Sequence, residues 1–103
     1  MDPEKMSFSD RQLDELAHRF KILSEPSRLR ILRCLMEGEK CVSKISELEN
    51  MLQANVSKHL KIMQLNGIVA CRRQGLQRYY RVVDYTVVQI CSVVCGNNRE
   101  RYE

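Results

Sequence analysis

The chain has 103 residues, 44% of them apolar and 29% charged, with a formal net charge of +4. That size encloses one modest core and excludes a second domain or a large catalytic cleft, so residues 1–103 are expected to fold as a single unit. The composition excludes a disordered chain, and the apolar runs are far too short to cross a bilayer, so no membrane partner is expected.

The start, Met1-Asp2-Pro3-Glu4-Lys5, is polar and carries no apolar stretch of signal-peptide type, which makes the cytoplasm the expected location. Ser9-Asp10-Arg11-Gln12 has the pattern of a capping box, so a first helix is expected from there, with Leu13, Leu16, Ala17, Phe20 and Leu23 as one apolar stripe. Ser24-Glu25-Pro26 ends it and opens a second helix, because proline fits a first turn where its missing N–H costs nothing. That helix is expected to direct Leu29, Leu32, Leu35 and Met36 inward and to close at Gly38, with Glu37 to Lys40 as a polar turn. A short helix over Ser43 to Glu49 follows, with Asn50 as a left-handed cap. The next helix buries Val56, Leu60 and Met63 and ends at Asn66-Gly67. Two helices joined by so tight a turn make a helix-turn-helix.

From Ile68 the period changes. Val69 to Arg73 and Arg78 to Val83 read as strands around Gln74-Gly75-Leu76-Gln77. Asp84 to Cys95 is rich in β-branched residues, yet its length and uninterrupted interior favour a helix, which Gly96-Asn97-Asn98 stops before a frayed charged tail. The expected fold is thus mostly α with a β-hairpin wing: four helices, two strands and a fifth helix in winged helix-turn-helix order.

Charge distribution carries the functional reading. No acidic residue lies between Glu49 and Asp84, whereas Lys58, Lys61, Arg72, Arg73, Arg78 and Arg81 all do, which predicts an acid-free basic face. In a helix-turn-helix the second helix exposes polar side chains to the major groove and anchors its other face in the core. Gln53, Ala54, Asn55, Ser57, Lys58 and Lys61 form such an edge, while Val56 and Leu60 hold the helix down. A solvated amphipathic helix has the same pattern; the hairpin decides, since Arg72, Arg73 and Arg78 around a turn with no acid to pair them suit a phosphate backbone. No nucleophile, base and orienting residue occur at a recognisable spacing and no glycine-rich phosphate loop is present, so an enzyme is not expected.

Leu23-Ser24-Glu25-Pro26-Ser27-Arg28-Leu29-Arg30-Ile31-Leu32, Met36-Glu37-Gly38-Glu39, Gln53 to Lys61, Leu65-Asn66-Gly67-Ile68-Val69, Arg73-Gln74-Gly75 and Tyr79-Tyr80 resemble, in order and spacing, the ArsR/SmtB (arsenic-repressor) family of winged-helix regulators. The resemblance implies a homodimer joined through the first and last helices, two recognition helices on a palindromic double-stranded operator, and a repressor that needs no cofactor to bind DNA. It also implies release when a metal, an arsenic species or an oxidant engages cysteines or histidines at positions that differ between branches. The Cys-Val-Cys stretch of the branch sensing arsenic, cadmium or lead is here Cys41-Val42-Ser43, half complete. The Asp and His ligands of the zinc branch are here Asp84 and Thr86, which lacks the imidazole.

Five cysteines without a secretion signal point to reduced thiols. Cys91 and Cys95, spaced i and i+4, share one face of the last helix and suit a soft ion such as arsenite, cadmium or lead, with Cys41 as a third ligand; as alternatives they pack as small hydrophobes in a dimer seam, or form a redox or persulfide switch through a reversible bridge. The persulfide-sensing branch pairs a cysteine of the second helix with one of the last, which Cys34 and Cys95 imitate in displaced positions. Cys34 and Cys71 are expected in the core, His18 on the surface, and His59 orienting the recognition helix.

Overall fold

A computed structural model of the protein describes residues 7–97. The order is α1 (Asp10–Leu23), α2 (Pro26–Met36), β1 (Lys40–Cys41), α3 (Val42–Glu49), α4 (Gln53–Leu65), β2 (Val69–Gln74), β3 (Gln77–Val82) and α5 (Tyr85–Asn97). This is the expected mostly helical winged helix-turn-helix, with one strand added.

Local chemistry accounts for the boundaries. Ser9 and Gln12 form the reciprocal capping box, with the Ser9 hydroxyl 3.2 Å from the Gln12 N–H and the Gln12 side-chain oxygen 2.9 Å from the Ser9 N–H. Pro26 opens α2, where the Glu25 carboxylate accepts from the Ser27 N–H. Asn50 ends α3 at φ 52, ψ 52, the left-handed cap that turns the chain into α4. In the hairpin Gly75, at φ 62, supplies the positive φ that a two-residue turn needs to match the strand twist.

The unexpected strand, β1, takes Lys40 out of the polar turn. It pairs Lys40 with Tyr80 and Cys41 with Tyr79, giving an antiparallel sheet of order β1-β3-β2. Two residues are too few to leave an alternating pattern, so only pairing with β3 reveals them. The hairpin ladder also runs one pair further than the sequence suggested, to Gln74 and Gln77, and leaves Gly75 and Leu76 as the turn. At the far end α5 continues through Gly96 to Asn97; Asn98 and the charged tail lie outside the described residues.

The core gathers on α2. Ile31, Leu32 and Leu35 meet Ile45 of α3, Val56, Leu60 and Met63 of α4, Ile68, Val69 and Tyr80 of the sheet region, and Val87 of α5. Leu29 and Met36, expected inward, are 38% and 40% exposed. They lie with Arg33 on a flank one row away from the Ile31, Leu32 and Leu35 face, and that flank borders a cavity beside α5. The α1 stripe is likewise uncovered at Leu13, Leu16 and Phe20, and only the helix end, Ile22 and Leu23, reaches the core.

Leu60, fully buried on α4, tests the core assignment. Leu60→Ala is expected to cost about 2–5 kcal/mol, the usual range for an enclosed leucine, whereas Leu65→Ala, at an exposed site of the same helix, stays within about 0.5 kcal/mol. Urea unfolding of both variants checks the difference.

Candidate nucleic-acid interface

α4 presents two opposed rows. Val56, Leu60 and Met63, at i, i+4 and i+7, are fully buried, while Ala54, Lys58 and Lys61 repeat the spacing on the exposed side. Gln53, Asn55 and Ser57 are exposed as well. The connection from α3 is fixed from within: Ser46 accepts at its carbonyl from the Met51 N–H at 3.1 Å and donates its hydroxyl to the Met51 carbonyl. Leu52 caps α4 and offers no side-chain oxygen to the first amides of the helix.

Two polar struts hold α4 to the α1 side of the molecule. Arg28 donates from Nε to Nδ1 of His59 and from Nη1 to the Ile22 carbonyl, each at 3.2 Å. At the other end, His18 Nε2 lies 3.0 Å from Asn66 Oδ1, and the Asn66 amide donates to the Ile62 carbonyl at 2.8 Å. His59 is half-buried; burial, and then the Arg28 charge, pushes its pKa below the ordinary histidine value, with Glu25 opposing and Lys58 adding to the shift. It is therefore a neutral acceptor toward Arg28. His18 is exposed, as expected.

The hairpin divides its arginines between two faces. Register pairs Arg73 with Arg78 on the face that continues Val69, Cys71 and Tyr80 outward from the core, and both are exposed near the tip. Arg72, paired with Tyr79, lies on the opposite face, and the expectation that no acid pairs the wing arginines fails there. Glu39, from the turn before β1, accepts from Arg72 Nε at 2.8 and 2.9 Å and from Nη2 at 2.6 Å. Gln74 takes a further bond from Arg72 Nη1 at 2.8 Å, and the guanidinium lies 4.8 Å from the Tyr79 ring centre. Glu39 lies ten positions before Glu49, outside the acid-free interval, and meets Arg72 only through the fold.

The thiols sort by environment. Cys34 is buried in the core and burial pushes its pKa up; Cys71 is half-buried against the core beside its cross-strand partner Tyr80. Cys91 packs partly against the core and Cys95 is exposed one turn later; both open onto a cavity of about 390 Å³ walled by Leu29, Arg33 and Met36. Burial, then the neighbouring Cys95, raises the Cys91 pKa. Cys41 is lowered instead, by the Ser43 hydroxyl 3.2 Å away and then by the nearby backbone N–H of Lys44 in the first turn of α3. Its pairing opposite Tyr79 on β1 keeps it out of the Cys91 and Cys95 cavity, and among the described residues no three His, Cys, Asp or Glu side chains gather to hold a metal. Within one chain, Cys41 is not the third ligand of that pair.

A family model described as "Bacterial regulatory protein, arsR family" matches residues 25–70. The transcriptional repressor SmtB homolog of Synechocystis is 31% identical over 100 residues, covering 97% of this chain and 74% of that protein. The cadmium resistance transcriptional regulatory protein CadC homolog of Staphylococcus aureus is 32% identical over 87 residues, covering 84% and 72%. A homodimeric winged helix-turn-helix DNA-binding domain from Mycobacterium bovis superimposes with a TM-score of 0.76 at 29% identity, covering 95% of each chain. The chain belongs to the ArsR family: it is a DNA-binding transcriptional regulator and not an enzyme.

The Arg28 to His59 strut generates a pH prediction. Because the folded pKa of His59 is lowered, its contribution to stability is complete above the unfolded value and is lost as pH falls through the folded one, when Nδ1 gains a proton and Arg28 loses its acceptor. His59→Asn keeps an oxygen acceptor and removes the titration. Melting midpoints from about pH 7.5 to about pH 5 are expected to fall less in the variant than in the parent.

Proposed function

We propose that this ArsR-family regulator is a dimeric cytoplasmic repressor that grips a palindromic operator through α4 and the hairpin tip, without a cofactor. A thiophilic ion such as arsenite, cadmium or lead, bridging Cys91 and Cys95, then releases it. The observation that carries the DNA reading is the exposed edge of α4, Gln53, Ala54, Asn55, Ser57, Lys58 and Lys61, on a helix whose opposite row is completely buried. Arg73 and Arg78 add phosphate contacts from the tip, and the amides at the uncapped start of α4 suit one more. Arg72, engaged by Glu39, serves the hairpin instead.

The exposed row Leu13, Leu16 and Phe20 of α1, with Val93 and Val94 of α5, is the apolar surface that pairing would cover, and the Mycobacterium bovis domain is homodimeric. Two-fold pairing sets half-sites roughly 34–36 Å apart. No helix among the described residues is long and apolar enough to cross a membrane.

The inducer reading rests on donor chemistry. Two soft donors one turn apart on one helix face fit a thiophilic ion, with remaining positions filled from the partner protomer or solvent, and the Staphylococcus aureus relative is named for cadmium resistance. Because Cys91 is held protonated more firmly than an ordinary thiol, binding releases protons and strengthens as pH rises. Cys34, 3% exposed in the core, is a poor partner for a bridge to Cys95.

Titrating a fluorescent operator duplex tests both halves. Arg73→Ala and Arg78→Ala are expected to weaken all sequences alike and to flatten the salt dependence by about one phosphate contact each, whereas Gln53 and Asn55 variants change which operator is preferred. The Cys91→Ser, Cys95→Ser variant is expected to bind DNA yet to stay bound when arsenite, cadmium or lead is added under reducing conditions. Salt-insensitive binding overturns the interface, and release of the double variant overturns the thiol site. Metal-free release of the parent by polysulfide, with a matching mass change, transfers the reading to a covalent switch.

A further inference from the structure

Glu39 is the acid that sequence reading left out of the DNA-binding machinery, and a carboxylate beside a polyanion's docking surface ought to oppose binding. Its geometry points the other way. In the sheet order β1-β3-β2, Glu39 sits at the entry to one outer strand and Arg72 on the other, with Tyr79 of the central strand between them. To reach Glu39 the Arg72 side chain crosses the Tyr79 ring, stacking at 4.8 Å, and then engages both carboxylate oxygens. The planar fork of arginine suits this two-point grip, which fixes direction as well as distance. Gln74, the last ladder residue before the turn, holds the remaining edge of the guanidinium.

The clamp thus spans all three strands on the face turned away from Arg73 and Arg78. Arg73 and Arg78 form the very next cross-strand pair, about 3.3 Å further along. Beyond the clamp β1 no longer supports the hairpin, so the direction of the tip is set at this point. Arg72 has its donors occupied by Glu39 and Gln74, and the Glu39 carboxyl, hydrogen-bonded by Arg72, is held below the usual carboxylate range and stays ionised.

We propose that Glu39 is a positioning residue for DNA binding: through Arg72 and Tyr79 it fixes the pose of the hairpin, so that Arg73 and Arg78 meet the phosphates. This goes beyond the assignment of the tip arginines and rests on it for its readout. Arg72 accordingly contributes orientation, and not a phosphate contact of its own.

The test measures affinity and salt dependence on a duplex selected from random DNA by the parent protein. Glu39→Ala is expected to weaken binding about threefold to tenfold, although it removes a negative charge, and to flatten the salt dependence, because Arg73 and Arg78 no longer meet their phosphates. Arg72→Ala reproduces the loss, and the double variant is no weaker than either single one. Arg73→Ala costs less in the Glu39→Ala background than in the parent, because the tip is no longer delivered; a purely stabilising contact would leave that cost unchanged. Glu39→Gln, which keeps a side-chain acceptor, retains most of the affinity and serves should the alanine variant unfold. Tighter binding or a steeper salt dependence in Glu39→Ala or Glu39→Gln, or additive losses with Arg72→Ala, overturns the proposal: Glu39 would then merely shield Arg72 from phosphate. If Arg73→Ala has no effect in the parent, the tip assignment fails first, and additivity between Glu39 and Arg72 decides the clamp alone.

Discussion

Everything functional in this molecule hangs on the buried face of α2. Ile31 and Leu32 have no exposed surface, and Leu35 almost none. The elements that touch them, α3, α4 and β3, include both parts of the proposed DNA-facing surface. In a chain this small each enclosed side chain is a large share of a net stability of about 5–15 kcal/mol, so the core has few residues to spare for any other task. The consequence is economy of faces: one row of α2 makes the core, the adjoining row borders the thiol cavity, and α4 spends one side on anchoring and leaves the other free for the proposed recognition.

Polar contacts then convert anchoring into orientation. The apolar row of α4 sets its depth but leaves its direction soft, since hydrophobic burial is non-directional. Arg28 on His59 and His18 on Asn66 fix the middle and the end of the helix against α1. Asp84, paired with Arg19 of α1 and capping the amide of Thr86, ties the start of α5 to the same helix. α1 is therefore in polar contact with both the recognition helix and the helix that carries the cysteine pair, although neither contact is visible as a motif.

Periodic and capping signals were legible in the sequence because their causes are local. The Ser9 and Gln12 box, the Asn50 cap and the Gly75 turn each depend on residues within a few positions, and each stands where it was read. The misreadings have non-local causes. Lys40 and Cys41 become a strand only because β3 offers an edge, and Leu29 and Met36 are apolar residues on a flank that the single chain leaves open. The clearest case is Arg72: an interval without acids in sequence is not an acid-free surface in space, because Glu39 comes from 33 positions away. For the same reason the exposed α4 edge was readable from spacing, whereas the roles of Glu39, Arg28 and Tyr79 were not.

The cysteines show how one residue type is given different tasks by position. Thiols in the core, Cys34 above all, exchange reactivity for packing, since burial disfavours the thiolate that any metal or oxidant must meet. Cys91 bears part of the same penalty, yet it sits at the border of a cavity with Cys95 within one turn. The proposed ligand would have to displace the Cys91 proton, which would couple its binding to pH. It must also prefer the released arrangement of the dimer, because a ligand that binds both arrangements equally shifts neither. In the proposed reading a bridge on α5 would meet that condition without touching DNA: α5 is joined to α1 through Asp84 and Arg19, and α1 to the middle and the end of α4, so a small reorientation at the seam would change the spacing between the two α4 helices. A typical coupling between linked sites, about 1–3 kcal/mol, is within the reach of a few such hydrogen bonds formed or lost together.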